Sequence, residues 1–461
     1  MLNHSTPEDT CVDPLNNTAV YMNTHRTRQF VITDVSAFKE KMRAWSTNFE
    51  TIIYLDSNEY LFDRYATYEC LLAVAQTPPQ RLTTHQNAAS NSFEQLRLLH
   101  EQRPAWLFGF LGYDLKNETE KLESNLPDWV QMPDLFFFEP EVLMALTVNS
   151  THLTISVAAS YPKSPEEVFE QVEQQNTGEA TSEQDAVELT PRMSREDYLK
   201  RVERLREHIR QGDLYEVNLC QEWFATDVVI NPYQVFTKLL ELTQAPFSAF
   251  VKYEQKYLLC ASPERFLKNQ DGLLISQPIK GTSKRNLNHA DEDERLKIQL
   301  FNNAKERAEN VMIVDLVRND LTRSAILGTI SVPELFGTYS FKTVHHLIST
   351  ITANMRPDVH WSEALSNAFP MGSMTGAPKI MAMQLIEKHE LTGRGLFSGA
   401  VGYITPQGDF DFNVVIRSLL YNEAAAYLSL QVGSAITYGS DAQSEYEECL
   451  LKAQALMRSL L

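Results

Sequence analysis

The amino-acid sequence predicts a layered protein of mixed strands and helices, in the α/β (α+β) class, and three observations lead there. At 461 residues the chain exceeds what one simple core usually holds, so two domains or a single large layered domain is expected. Strand-like runs and helical stripes follow one another without the strict alternation of a doubly wound sheet, and no internal repeat is visible. A hydrophobic content of 43% is ordinary for a globular protein and supports a sizeable core.

In chain order, residues 51–55 read as a buried strand, and 106–113 as an aromatic strand punctuated by Gly109 and Gly112. Two more β-prone runs, 135–148 and 153–158, make the first third, 1–163, a β-rich region. A Glu/Gln-rich, linker-like segment follows over 164–193, within which Ser164-Pro165-Glu166-Glu167 can start a short helix carrying Val168 and Val172. The remaining region, 194–461, opens with a helix: Ser194 and Asp197 cap it, Tyr198, Val202, Leu205 and Ile209 form its apolar stripe, and Gly212 stops it. Strands recur at 215–219, 249–253, 257–261 and 273–277, and one long amphipathic helix is expected from 291 to 320. Residues 399–404, 412–420 and 427–432 read as a three-stranded meander, and a last helix starts near Ser444.

Composition excludes several function classes. A net charge of −19 repels phosphate backbones, so nucleic acid is not an expected partner. The five cysteines (Cys11, Cys70, Cys220, Cys260, Cys449) are scattered and unpaired in spacing, which fits a reducing cytoplasm better than a disulfide framework or a zinc site. Residues 1–13 are polar and acidic without a signal pattern, and no apolar run approaches the roughly 20 residues that span a bilayer. A cytoplasmic protein that neither crosses nor binds a membrane is expected.

Three groups of residues can carry chemistry. In the first, Ser262-Pro263-Glu264-Arg265-Phe266 leads through a strand to Pro278-Ile279-Lys280-Gly281-Thr282. A lysine at the end of a buried strand can be desolvated, which lowers its pKa and exposes a nucleophilic amine, while Gly281 allows close substrate approach. By spacing alone a snorkelling surface lysine is the commoner reading. The second group is acidic: Glu309 on the long helix, with Glu445 and Glu448 on one face of the last helix at i, i+3 spacing, where they can hold Mg²⁺, although such residues are more often a solvated face. Lys452, one turn after Glu448, reads as an i, i+4 ion pair. The third is the glycine-rich run Met371-Gly372-Ser373-Met374-Thr375-Gly376-Ala377-Pro378-Lys379, whose amides can bind an anion but which lacks Walker spacing. His345-His346 suit either core or surface, and no Gly-flanked Cys or Ser nucleophile with a histidine partner supports a hydrolase.

Taken together, these motifs resemble the chorismate-utilising enzymes, a family that includes anthranilate, isochorismate, salicylate and aminodeoxychorismate synthases. The resemblance runs from Tyr198 to the last residue and weakens in the first third, where Tyr54-Leu55-Asp56-Ser57 and Gly112-Tyr113-Asp114 carry it. It implies one large unit of two antiparallel sheets packed face to face with helices around them. The residue before the Gly-Thr pair is commonly alanine in anthranilate, isochorismate and salicylate synthases and lysine in typical aminodeoxychorismate synthases; here it is Lys280. The resemblance therefore implies Lys280 as a nucleophile toward C2 of chorismate, Glu264 as general acid for the departing C4 hydroxyl, and His346 beside that hydroxyl. It further implies that Glu309 and Glu448, with Glu445 alongside, hold Mg²⁺; that Lys452 clamps the ring carboxylate; that Tyr403 and Arg417 hold the enolpyruvyl carboxylate; and that Thr375, Gly376 and Gly433 line the ring site.

Ammonia would come from a separate glutamine amidotransferase subunit. Ser57 and the Pro246-Phe247-Ser248 segment match the region where relatives bind tryptophan. Three positions depart from the usual pattern: Glu216 replaces a glutamine, Met371 a small residue, and Gly433-Ser434-Ala435 a glycine-rich triplet. Glu216 is expected to be peripheral. Three rivals remain: an anthranilate-forming enzyme, against which Lys280 argues; a silent chorismate-binding subunit, against which the joint presence of Glu264, Lys280, Glu309 and Glu448 argues; and a Schiff-base or pyridoxal enzyme, which leaves the glutamates unexplained.

Overall fold

The computed structural model describes residues 24–85, 91–176, 186–342 and 344–461. The polar segment 1–13, Cys11 and residues 177–185 of the linker-like stretch lie outside the described residues.

Two large sheets, of 12 and 10 strands, dominate the described residues, and neighbouring strands pair antiparallel. In the larger sheet Thr51–Asp56 lies between Tyr68–Ala75 and Phe247–Tyr253, and Glu216–Ala225 pairs with Tyr427–Thr437 near the far edge. In the smaller sheet Leu107–Leu111 pairs with Ala400–Ile404, and the opposite edge is formed by Ile279–Lys284 against Val344–Asn354. Strands from 1–163 thus pair directly with strands from 194–461 in both sheets, so neither sheet is confined to one side of the linker-like segment.

The pleat explains how the layers meet. Side chains alternate along a strand, and in the larger sheet Ile53, Leu71, Ala73 and Ala145 join one buried cluster with Phe108 and Phe110 of the smaller sheet. Their neighbours Ile52, Tyr54, Leu72 and Met144 point the other way, into a second cluster with Phe38, Tyr198, Phe236 and Leu456 from the covering helices. Burial on both faces is why these strands read as nearly continuous apolar runs instead of alternating ones.

Local signals set the helices. The expected helix after Ser194 spans Arg195–Gln211, with Ser194 accepting from the Asp197 amide and Gly212 left-handed at φ 85°. The short helix within the linker-like segment is Pro165–Glu173, opened by a full capping box at Ser164 and Glu167. The last helix is Ala442–Ser459. The long helix expected over 291–320 is instead two, Ala290–Asn302 and Ala304–Thr322. Asn303 between them is extended, and its side chain accepts from the Lys305 and Glu306 amides, so a capping residue restarts the helix in a new direction.

Two apparent single strands also divide. The run 135–148 is Leu135–Phe138 in the smaller sheet and Val142–Thr147 in the larger. The expected meander is two hairpins in different sheets: Ala400–Ile404 with Phe410–Asn413 in the smaller, Ser418–Asn422 with Tyr427–Thr437 in the larger. The chain crosses between layers at 414–417, and Arg417 there adopts φ 52°.

Arg265 ties the two parts of the chain together. Its guanidinium, 1% exposed, donates to Asp411 (2.9 and 3.0 Å) and to Asp63 (3.0 and 2.8 Å). Replacing one partner of a buried pair strands the others. Arg265→Met is therefore expected to lower unfolding free energy by about 3–5 kcal/mol in chemical denaturation; a loss below about 1 kcal/mol would mean that solvent screens this network.

Candidate active site

The two sheets bring Glu264, Lys280, His346, Arg417 and Gly433 around one cleft with Lys452 of the last helix, and Glu309, Glu445 and Glu448 at its acidic end; the cleft, open to solvent, spans about 1000 Å³. Backbone irregularities deliver the reactive groups. Between Ile279 and Thr282 the strand advances three residues while its partner advances two, from Ile348 to His346; this bulge, with Gly281 at φ 94°, presents Lys280 at the sheet edge. Glu264 sits between a strand ending at Ser262 in the larger sheet and one starting at Arg265 in the smaller. Its carbonyl accepts from the Val414 amide at 3.0 Å, so the crossing that carries Glu264 abuts the one that carries Arg417.

The charges fall into a pattern. Glu264 is 4% exposed, and burial pushes its carboxyl up to about 7 against the opposing Ser373 hydrogen bond (2.6 Å) and Lys280 charge. Lys280 donates to Glu216 Oε1 at 2.6 Å, with the two residues 8% and 1% exposed. Burial alone would lower its pKa, but Glu216 and, farther off, Glu309 and Glu448 raise it above the usual lysine value. The amine is thus a salt-bridged ammonium, which corrects the expectation of a lysine with a depressed pKa, and Glu216, expected to be peripheral, is its direct hydrogen-bond partner. Burial, reinforced by Arg417, holds His346 down to about 3. Its Nδ1 lies 3.0 Å from Thr282 Oγ1 and 3.2 Å from the Gly281 carbonyl, which assigns the proton to Nδ1 and leaves Nε2 as an acceptor.

Arg417 is lowered to about 10 by burial, opposed by Glu448, and its guanidinium has no hydrogen-bond or ion-pair partner among the described residues. Lys452 donates to the Gly433 carbonyl at 2.8 Å and pairs with Glu448 at 2.7 Å. At the acidic end, burial pushes Glu309 up to about 7, and its Oε1 is buried without a hydrogen-bond donor. The Lys305 ammonium stands 3.8 Å from that oxygen and 3.2 Å from Glu445 Oε1. Among the described residues no three acidic, histidine or cysteine side chains are already gathered as a metal cage. An orphaned carboxylate oxygen next to a second and third glutamate nevertheless suits a hard cation that keeps waters and substrate oxygens in its shell.

Three expected residues lie elsewhere. Tyr403 packs against Tyr68, Trp106 and Phe108 and lines a second cavity of about 520 Å³, together with Ser57, Pro246, Phe247 and Ser248. Thr375 and Gly376 stand behind the cleft wall: the Thr375 hydroxyl donates to the Met371 carbonyl at 3.1 Å, and Gly376 runs so close to the Glu216 strand that a Cβ would meet the Glu216 carbonyl at 2.1 Å. Sequence reading missed Ser373 and Lys305 as cleft residues, although Ser373 sits in the glycine-rich run and Lys305 is one turn before Glu309.

The two-sheet fold thus gathers an acid, a lysine, an unpaired guanidinium and several glutamates in one cleft, and the comparisons give the class of enzyme. The chain matches the chorismate binding enzyme model over residues 50–458 and belongs to that family. It is 36% identical over 356 residues to aminodeoxychorismate synthase component 1 of Escherichia coli (strain K12), covering 76% of each chain. It is 31% identical over 373 residues to anthranilate synthase component 1 of Cereibacter sphaeroides, covering 77% of this chain and 73% of that one. The crystal structure of anthranilate synthase component I from Streptococcus pneumoniae TIGR4 superposes with a TM-score of 0.74 at 26% identity, over 86% of this chain and 94% of that one.

A carboxyl whose folded pKa (about 7) exceeds its ordinary value (4.5) binds more protons folded than unfolded, so its contribution costs stability as pH rises from about 4.5 through 7. Glu264→Gln removes that dependence. The variant's stability relative to wild type should be about 2 kcal/mol more favourable at pH 8 than at pH 5; equal differences at both pH values would place the Glu264 pKa near its unfolded value.

Proposed function

We propose that this chain converts chorismate and ammonia to 4-amino-4-deoxychorismate, the precursor of p-aminobenzoate and folate, in the cytoplasm, with ammonia supplied by a separate glutamine amidotransferase subunit. The observation that carries the reading is Lys280 and a protonatable Glu264 lining the same cleft as the unpaired Arg417. The relative named aminodeoxychorismate synthase component 1 supports it.

In this reading the Arg417 guanidinium takes the enolpyruvyl carboxylate, which suits a planar bidentate fork, and Lys452 meets the ring carboxylate. Glu309 and Glu448, with Glu445 alongside, would hold Mg²⁺, which supplies charge neutralisation at the ring carboxylate and draws electron density from the diene. The Lys280 amine forms a bond to C2, the diene electrons shift, and the C4–O bond breaks. Glu264 gives its proton to the departing hydroxyl, which leaves as water; a carboxyl held near 7 is suited to that task. Neutral His346 accepts or shares a hydrogen bond at that hydroxyl. Ammonia then bonds to C4, the C2–N bond breaks, and Glu264 recovers a proton from the new amine. The second cavity, walled by Phe247, Tyr68 and Tyr403, is the proposed place for a tryptophan-sized ligand.

Incubation of the purified chain with chorismate, Mg²⁺ and an ammonium salt is expected to yield a product that keeps its enolpyruvyl group by mass. Lys280→Ala should lower the rate at least about 100-fold. Fluorescent anthranilate with release of pyruvate would move the chain to the C2-aminating branch.

A further inference from the structure

Lys280 is placed to attack, yet as a buried ammonium it has no lone pair to attack with. The structure assigns the missing base: we propose that Glu216 withdraws the Lys280 proton when substrate occupies the cleft and returns it when the lysine is released. This rests on the reading of Lys280 as the nucleophile.

The geometry supports transfer within the pair. Glu216 Oε1 lies 2.6 Å from Lys280 Nζ, and Glu216 Oε2 is buried with no hydrogen-bond partner among the described residues. No donor therefore competes for the carboxylate, and both oxygens are available for one proton. Glu216 begins the strand Glu216–Ala225, and its position is fixed from both sides. The strand pairs through Glu216 and Thr437 with Tyr427–Thr437, and through Glu216 and Ala377 with the Gly376–Ala377 segment, where only a glycine admits the close approach. The carboxylate is held by the larger sheet and the amine by the smaller, so each is positioned independently of the other.

Other groups around Lys280 are less suited. Glu264 also faces it, but serves as the acid and accepts from Ser373. Glu306, Glu309 and Glu448 approach from the two helices at the acidic end and stabilise the ammonium through space; Lys305 and Lys452 balance them. His346 has its proton on Nδ1, directed to Gly281, and is hydrogen-bonded to Thr282.

Atoms balance around the cycle. Lys280–NH₃⁺ gives a proton to Glu216; the neutral amine bonds to C2 as the C4–O bond breaks, and Glu264 protonates the leaving oxygen. The adduct is a secondary ammonium beside a neutral Glu216. When ammonia bonds to C4 and the C2–N bond breaks, the lysine leaves as a neutral amine and takes its proton back from Glu216, while the new C4 ammonium returns one proton to Glu264. Net, chorismate and ammonia give the amino product and water. A glutamine at this position, the usual residue by resemblance, accepts a hydrogen bond but cannot take the proton.

The consequence is a pH signature. Transfer within the pair leaves the total proton count unchanged, so it does not depend on pH. In Glu216→Gln the lysine must lose its proton to solvent before it can attack. The ratio of variant to wild-type rate, measured with chorismate, Mg²⁺ and ammonium chloride at constant free ammonia, cancels the shared titration of Glu264. That ratio is expected to start near 0.01 at pH 7, within the usual range for loss of a positioned base, and to climb about tenfold per pH unit until the variant's lysine titrates. Glu216→Asp, which keeps the carboxylate one methylene short, should be slower but hold a constant ratio to wild type. Intact mass after mixing with chorismate alone should show the adduct, chorismate less water, forming more slowly at pH 7 in Glu216→Gln. A pH-independent ratio for Glu216→Gln, or a climbing one for Glu216→Asp, would overturn the assignment of the base. Lys280→Ala separates the two levels: if it keeps wild-type rate the nucleophile reading fails, whereas if it is inactive and the Glu216→Gln ratio stays flat, only the role of Glu216 fails.

Discussion

One contact joins the two sheets where the chemistry lies: the ion pair between Lys280 and Glu216, 2.6 Å long and almost wholly removed from solvent. Taking two charges out of water is costly, and their attraction offsets the cost only if the geometry is held closely. Much of the surrounding backbone serves that end. The bulge at Gly281 presents the lysine, and the tight passage at Gly376 fixes the strand that carries the glutamate. The sheet-to-sheet core then sets the gap that the pair must span.

Around that pair the cleft leaves several ionisable groups only partly neutralised. Arg417 lacks an anion, Glu309 lacks a donor, and Glu264 is held half-protonated near neutral pH. Each is unfavourable for folding by itself. Sites that bind and activate a polyanion are built in this way, since groups satisfied in the empty protein would have to be torn from their partners when substrate arrives. The left-handed backbone at Arg417 belongs to the same class of cost: a non-glycine residue is held at φ 52° so that its side chain reaches the cleft.

The helix after Ser194, the short helix started at Ser164 and the strands that precede Glu264 and Lys280, Lys256–Ser262 and Leu273–Gln277, were legible because local signals determine them. What stayed hidden were places where the chain changes sheets, among them 139–141, 263–264 and 414–417. In a sheet buried on both faces, hydrophobic periodicity reports that a strand exists and says nothing of which layer it joins. Glu264 and Arg417 sit on two of those crossings, so their proximity could not be read from spacing. The resemblance supplied them, and Lys280 with them. It expected Tyr403 in the cleft, whereas the strand Ala400–Ile404 turns that ring toward Trp106 and the second cavity. The contact of Glu216 with Lys280 could not be read from spacing because the two lie 64 residues apart and in different sheets.

The interleaving of early and late strands also governs how the molecule can be made. Thr51–Asp56 waits for Phe247–Tyr253, and Leu107–Leu111 has no partner on one side until Ala400–Ile404 exists. Such pairings close long loops before they gain contacts, which slows folding and leaves apolar edges open while the chain is incomplete. The β-rich first third is thus the half of a template whose complement emerges last from the ribosome, and it is the part of this protein most dependent on protection during synthesis.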